Sequence, residues 1–550
     1  MKKNRIIIVG GALAGPVAAS RAREIDENAE IILLERNTRV SYALAGLSFY
    51  LSEDVKSLED LNREREDFFK SVYNIDVLTK TEVISLNRKS KTLLIRNSET
   101  EKTLEYDRLI FATGAGSLKP ANLPDIENFR YFRTLDDLDA IQKNLINGAN
   151  RFIVLGGGSM GLEATDGLVR GGGKVTLIEK NEHILPHFSK NIASLAEHSL
   201  KSQVDLICGY REIEFKTQNR KLVAVIVDGK EIETDFLVCA IGVRPRTELL
   251  AESGLKLNPD GSIPIDKNCR TTDKNIYACS ICVSLPESFS SSGWIPQAAI
   301  ADKTAQVAGA NAVGLGLEIG KFTGSMIVRL PNTEVGRVGL SEDDIRNKYK
   351  KGKWDKVFIQ ANNIESYMPN ASPIFLEIFY KKGSCKILGL EAIGRDIKSR
   401  LDSCAVAIQA GMNLEELSQV DFSYSPAFGT SRDALNVVST VAMFGELKLT
   451  DWIEPQKIIN SRNNYFIVDV GVQESQNKIA DFYLKLEDLR SNIQTLIEAY
   501  NQSKATEIAI ISNSGRRGHL ALRILDSYGL KVKNVAGGFT LFSALEKSGR

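Results

Sequence analysis

The chain has 550 residues, 43% hydrophobic and 25% charged, with 70 lysines and arginines against 69 aspartates and glutamates for a formal net charge of +1. That length exceeds one ordinary domain of roughly 100–200 residues and predicts several. The near-neutral charge excludes a broad electrostatic surface for nucleic acid or membrane as the main partner, and no run of roughly 18 or more apolar residues predicts a spanning helix, so a cytoplasmic protein is expected.

The first predicted element is Ile6-Ile7-Ile8-Val9, an apolar run of strand length, followed by Gly10-Gly11-Ala12-Leu13-Ala14-Gly15 and an alanine-rich segment, Val17 to Ala22, that reads as a helix. Strand, tight turn and helix in that order make a dinucleotide-binding unit. Gly10 permits the turn, the small Ala12 replaces the usual middle glycine where backbone approaches a pyrophosphate, and Gly15 permits close helix packing. The helix N-terminus faces phosphate charge. A second strand, Ile31-Ile32-Leu33-Leu34, ends at Glu35 and Arg36, where a carboxylate accepts hydrogen bonds from ribose hydroxyls.

The pattern recurs as Phe152-Ile153-Val154-Leu155, then Gly156-Gly157-Gly158-Ser159-Met160-Gly161, then Val175 to Ile178 and Glu179, with Gly156, Gly158 and Gly161 completing a full G-x-G-x-x-G. Two dinucleotide sites in one chain predict FAD and a nicotinamide cofactor, with hydride passing from nicotinamide to flavin. Glu179 favours NADH over NADPH, because a carboxylate repels a 2′-phosphate, although Lys180 beside it tempers the preference.

Between the two units, Tyr106 to Ala115 contains Ala112-Thr113-Gly114-Ala115, similar to the A-T-G-A turn by which two-dinucleotide flavoproteins return to their FAD domain, and Val238 to Pro245 is similar to the matching turn after the nicotinamide domain. Ala112, Thr113 and Gly114 are therefore expected beside FAD. Ser41-Tyr42-Ala43-Leu44-Ala45-Gly46-Leu47-Ser48-Phe49-Tyr50 resembles the S-F-x-N-C-G-L-P-Y-Y segment of coenzyme A-disulfide reductases and NADH-dependent persulfide reductases. The segments at 74–77, Tyr367-Met368-Pro369 and Tyr424-Ser425-Pro426-Ala427-Phe428 extend that likeness to about residue 440. From about 452 onward Phe466 to Val470, Ile508 to Ile511 and Ser512-Asn513-Ser514-Gly515-Arg516-Arg517-Gly518 resemble a rhodanese domain, in which such a loop cradles a cysteine persulfide.

Three departures from the resembled family bear on chemistry. Ala45 stands where the resemblance places the redox cysteine, and Ser512 where it places the sulfurtransferase cysteine. Ile281 stands where the superfamily's Y-A-x-G-D segment carries the aspartate that holds the ribityl side of FAD. The same segment holds Cys279 and Cys282, read as buried thiols with a dithiol or metal pair as the alternative; otherwise no metal is expected. Seven scattered cysteines do not predict a disulfide framework. The family likeness further implies that Tyr367 and Tyr424 reach the substrate from the partner subunit of a homodimer, as catalytic candidates. Arg21 and Arg23 resemble basic positions near its coenzyme A site, which keeps coenzyme A among the candidate ligands.

The expected fold is α/β: two Rossmann-like dinucleotide-binding domains, an α/β dimerisation domain and a C-terminal rhodanese-like α/β domain. The expected boundaries are 1–115 plus 245–320 for FAD, 116–244 for NAD(P)H, 321–445 for the interface and 452–550 for the tail. The expected function is an FAD-dependent NAD(P)H oxidoreductase that reduces a small-molecule acceptor directly from flavin, without disulfide reductase or sulfurtransferase activity. The alternative is a catalytically silent nucleotide-binding regulatory or scaffold protein.

Overall fold

Ile6, Ile7 and Ile8 are fully buried in the strand Arg5–Val9, because the sheet it centres shares one apolar core with the helices Ala14–Ile25 and Ala298–Ala312 and with the three-stranded sheet of Glu82–Asn87, Thr92–Arg96 and Glu101–Glu105, which leaves no face for alternating polar residues. This computed structural model describes residues 4–62, 64–286, 293–472 and 479–547. It divides into two units, one of residues 1–182 and 203–324, the other of residues 183–202 and 325–550.

The first unit contains two five-stranded parallel sheets of the same design. One runs, in spatial order, Ile276–Ala278, Arg108–Phe111, Arg5–Val9, Glu30–Leu34 and Asp76–Leu78. The other runs Val204–Cys208, Lys174–Glu179, Arg151–Leu155, Phe236–Cys239 and Phe129–Tyr131. In each the glycine-bearing strand lies in the middle, with the acid-bearing strand on one side and the strand returning from the later turn on the other. The helices Ala14–Ile25 and Ser159–Arg170 follow the glycine turns. Each buried Ile, Leu or Val side chain of these strands contributes roughly 1.5–3 kcal/mol by leaving water.

The second unit also holds two sheets. Met326–Arg329, Glu334–Gly339, Lys386–Gly394, Pro373–Lys381 and Trp354–Asn362 form an antiparallel sheet in that order, covered by the helix Lys398–Ala410. Trp452–Ile453, Val532–Val535, Glu507–Ile511, Tyr465–Asp469 and Phe482–Tyr483 form a parallel sheet with its own apolar core around Val468, Ile508 and Leu525. Among the described residues no helix is long and apolar enough to cross a membrane.

Candidate active site

The two glycine turns of the first unit repeat each other closely. Gly10 and Gly156 both take a φ of +108°, and a Cβ on either would lie 2.4–2.5 Å from the carbonyl oxygen of Ala112 or Ala240, just past the end of the neighbouring strand. A Cβ at Gly15 or Gly161 would lie 1.8 Å from the oxygen of Gly10 or Gly156, so only glycine lets each helix sit this close to its strand. A Cβ at Gly158 meets nothing within 4 Å. The backbone there is open to a ligand, and the corresponding Ala12 is only partly buried, so its methyl is tolerated.

The acids close each turn in the same way. Glu35 Oε2 accepts the Gly11 amide at 2.7 Å, and its Oε1 accepts the amide and side chain of Asn37 at 2.8 and 2.7 Å. Glu179 Oε2 accepts the Gly157 amide at 2.5 Å, and its Oε1 accepts the amide and side chain of Asn181 at 2.8 and 2.6 Å. A carboxylate has about four acceptor positions, so one is left on each for a ribose hydroxyl. Asn37 and Asn181 were not legible as site residues, yet the repeated triplets Glu35-Arg36-Asn37 and Glu179-Lys180-Asn181 are the signal that would have found them.

The segment carrying Ala45 is tied to the first turn. The Ser41 amide donates to Gly11 O at 2.8 Å and the Tyr42 amide to Ala12 O at 3.1 Å. Leu44–Gly46 then forms one turn of 3-10 helix with Ala45 exposed on it, and Leu47–Leu51 packs on the helix Ser159–Arg170. Gly167 and Gly171 allow that approach: a Cβ on either would lie 2.8 or 2.6 Å from the carbonyl oxygen of Ser48 or Leu51. Ala45 thus stands on a segment bonded to one dinucleotide turn and packed on the helix of the other.

Ala112, Thr113 and Gly114 follow the strand Arg108–Phe111. The Thr113 hydroxyl donates to Arg246 O at 2.6 Å, and the Arg246 amide donates to Gly114 O at 3.0 Å. Ile281 is buried against this turn, with Cγ1 3.8 Å from where a Gly114 Cβ would sit, and offers the turn no side-chain hydrogen bond. Tyr42 is buried nearby, and burial with the charge of Glu35 pushes its hydroxyl up to about 12 against the pull of Arg246 and Arg133. Arg36 is exposed at the end of its strand and close enough to Arg246 for their charges to act on each other.

Cys279 and Cys282 are fully buried, with the Cys282 thiol donating to Cys279 O at 3.0 Å; burial pushes both thiols up, which keeps them protonated. Among the described residues no group of three or more His, Cys, Asp or Glu is placed to hold a metal. Arg23 departs from its expected place near coenzyme A. It is buried and donates to the carbonyls of Tyr73, Asp26, Glu27, Ala29 and Asn74, so its guanidinium organises a loop rather than facing a ligand. Arg21 pairs with Glu24.

In the second unit, Tyr367 is 69% and Tyr424 49% exposed. Tyr424 donates to Glu365 Oε1 at 3.2 Å, and the same oxygen accepts the Ser431 amide at 3.0 Å. Partial desolvation and hydrogen bonds with Tyr367 and Glu365 push Tyr424 up to about 12. Ser512 follows the strand Glu507–Ile511 and is 1% exposed, its oxygen accepting the amides of Gly515 and Gly518 at 3.2 and 3.3 Å. The Arg517 guanidinium is engaged by a two-bond pair with Glu487, at 2.9 and 2.5 Å, and by Val470 O at 2.9 Å.

Two nucleotide turns sharing one unit, ahead of an antiparallel interface sheet, define an oxidoreductase that handles two dinucleotides. Residues 4–305 match the family model described as pyridine nucleotide-disulphide oxidoreductase, and residues 327–434 match that family's dimerisation domain. The chain belongs to the pyridine nucleotide-disulphide oxidoreductase family. It is 30% identical over 454 residues to an NAD(P)H sulfur oxidoreductase (CoA-dependent) of Pyrococcus furiosus, covering 81% of this chain and 100% of that relative. The crystal structure of reduced Bacillus anthracis CoADR-RHD superposes with a TM-score of 0.90 at 27% identity, covering 100% of this chain and 99% of that one. An NAD-dependent persulfide reductase from A. fulgidus superposes with a TM-score of 0.91 at 28% identity, covering 98% and 100%. Family membership implies FAD and NAD(P)H, and the turns fit both: each has a closed glycine cradle, a helix N-terminus and an acid with an acceptor position to spare.

Proposed function

We propose that the protein is an FAD-dependent NADH oxidoreductase that reduces its acceptor directly, with no cysteine relay. The observation that carries this reading is Ala45, exposed on the segment bonded to the first glycine turn, where the resembled coenzyme A-disulfide reductases carry their redox cysteine. A methyl group neither attacks sulfur nor forms a mixed disulfide. Bound FAD supplies the capacity to accept and release a hydride equivalent.

The chain's own residues bind and orient. Gly10, Ala12, Gly15, Glu35, Arg36, Ala112, Thr113 and Gly114 hold FAD, and Gly156, Gly158, Gly161 and Glu179 hold the nicotinamide dinucleotide. Glu179 selects NADH, since a 2′-phosphate would meet a buried carboxylate already fixed by Gly157 and Asn181. The interface domain makes a homodimer, in which Tyr367 and Tyr424 face the acceptor and their hydroxyls orient or protonate it. The parallel sheet of residues 452–550 is a rhodanese-like domain. With Ser512 in place of cysteine it holds no sulfane sulfur, and its Arg517, already paired with Glu487, fits a packing role. The relative named as CoA-dependent supports coenzyme A as a further ligand, though not through Arg23.

Acceptors that fit are a quinone, oxygen, an unsaturated carbonyl or a sulfur species that reacts with flavin itself. Steady-state NADH oxidation by the flavin-loaded protein tests this: turnover with a quinone or oxygen and negligible turnover with coenzyme A disulfide are expected. The second reading, a silent nucleotide-binding protein, is favoured by Ile281, which removes a side-chain contact to the flavin. Bound flavin with no turnover on any acceptor would establish it.

A further inference from the structure

Arg246 is held in an unusual position. Its amide and carbonyl are both bonded to the Thr113-Gly114 turn, and its side chain lies across Gly116, where a Cβ would stand 3.2 Å from Nε. A side chain at 116 would displace the guanidinium. Arg133 reaches the same strand, its Nη2 donating to Ala115 O at 3.3 Å. Burial lowers the affinity of both arginines for their protons, and the charges of Arg36 and Arg133 lower that of Arg246 further.

No ion pair or hydrogen bond is made by the Arg246 guanidinium among the described residues. Glu35 is the nearby carboxylate, and it is engaged by Gly11 and Asn37. Three arginines gathered at one edge of a dinucleotide turn, one of them half-buried without a counter-ion, carry a desolvation cost that an anion would offset. The ligand that the adjoining turn is built for is a dinucleotide whose only anionic groups are its phosphates.

We infer that Arg246 is a direct ligand of the FAD diphosphate and supplies, from the other side of the Thr113-Gly114 turn, binding that Ile281 does not. The inference rests on the flavoprotein reading. It assigns to this chain a cofactor held more by charge at its phosphates than by hydrogen bonds at its ribityl chain. The positions are coupled through one turn: Ile281 flanks Gly114, and Arg246 is bonded to it.

The test is FAD binding by the full-length protein stripped of flavin, followed by flavin fluorescence on titration. R246M is expected to weaken FAD binding by roughly ten- to hundredfold, the range for losing a hydrogen bond to a charged group. The control R244M, at an exposed arginine facing Glu248, is expected to match the unaltered protein. R246Q is the second variant, judged by the same criterion if R246M fails to fold by circular dichroism. Unaltered FAD affinity in a folded Arg246 variant overturns the inference and leaves the flavoprotein reading standing. Failure of the unaltered protein to bind FAD overturns both.

Discussion

Glu35 and Glu179 hold their glycine turns by the same bond, each carboxylate accepting the amide of the second turn glycine, Gly11 or Gly157, and each steadied by an asparagine two residues on. The acid is therefore part of the turn before any ribose arrives. Charge and hydrogen-bonding capacity are separable here. Glu179→Gln keeps an acceptor for Gly157 while removing the charge that a 2′-phosphate would meet. The ratio of kcat/KM for NADH over NADPH is expected to fall by about tenfold, an ordinary value for one charged contact. An unchanged ratio would assign nicotinamide choice elsewhere.

The close helix approach at the second turn predicts a steric penalty. A Cβ at Gly161 would lie 1.8 Å from Gly156 O, backbone that the neighbouring strands hold in place. Gly161→Ala is expected to cost about 3 kcal/mol or more, the upper range for overpacking, and to abolish NADH binding. Urea unfolding and a nucleotide titration check the two parts.

Ala45→Cys restores a thiol to the exposed turn of the Leu44–Gly46 segment. Coenzyme A disulfide reduction is expected to rise from negligible to measurable in the variant, while NADH oxidation with a quinone persists. Substantial disulfide reduction by the unaltered protein would show another thiol at work, although burial keeps Cys279 and Cys282 protonated.

Glu377 and Glu391 face each other in register on adjacent antiparallel strands, each 1% exposed, and Glu377 Oε2 and Glu391 Oε1 lack a hydrogen-bond partner among the described residues. Burial pushes Glu391 up to about 7, against Arg337 and with Glu377 adding to the rise. Burial likewise raises Glu377, opposed by Lys356, which also pairs with Glu342 and Glu454 at 3.0 Å. A carboxyl raised in the folded state stabilises it fully below its unfolded value of about 4.3 and loses that contribution as pH rises through its folded value. Stability of this unit is expected to fall between about pH 4.3 and 7 by an amount on the order of 3 kcal/mol. Glu342 is held low by Lys356 and Arg346 despite burial, and opposes the trend only at the acid end. Glu391→Gln is expected to flatten the pH dependence of the unfolding midpoint; an unchanged slope would place the proton elsewhere.

Local order was the most legible part of the sequence. An all-apolar run such as Ile6 to Val9 suits a strand covered on both faces, and a glycine turn followed by alanines allows little but a close helix. The Glu-x-Asn triplets were visible but unread, because their meaning lies in a bond back to a turn some twenty residues earlier. Arg246 and Arg133 were illegible for another reason: they come from distant segments and meet only once the Thr113-Gly114 turn is built. Glu377 sits in an otherwise apolar strand, where the ion pair with Lys356 at 3.2 Å, the bond from Asn191 and the cross-strand partner Glu391 account for a buried carboxyl. Arg23 shows the converse, a helix charge that resembled a ligand site and serves instead to gather backbone carbonyls.

The most direct test of electron flow without a cysteine is an anaerobic titration of the purified protein with NADH, followed by visible absorption. Flavin absorption that bleaches with about one equivalent of NADH per flavin is the predicted result, since the flavin alone then takes up the hydride. Uptake of a second equivalent would reveal a reducible sulfur that Ala45 does not provide, and a flavin that NADH leaves unbleached would contradict the proposed hydride path outright.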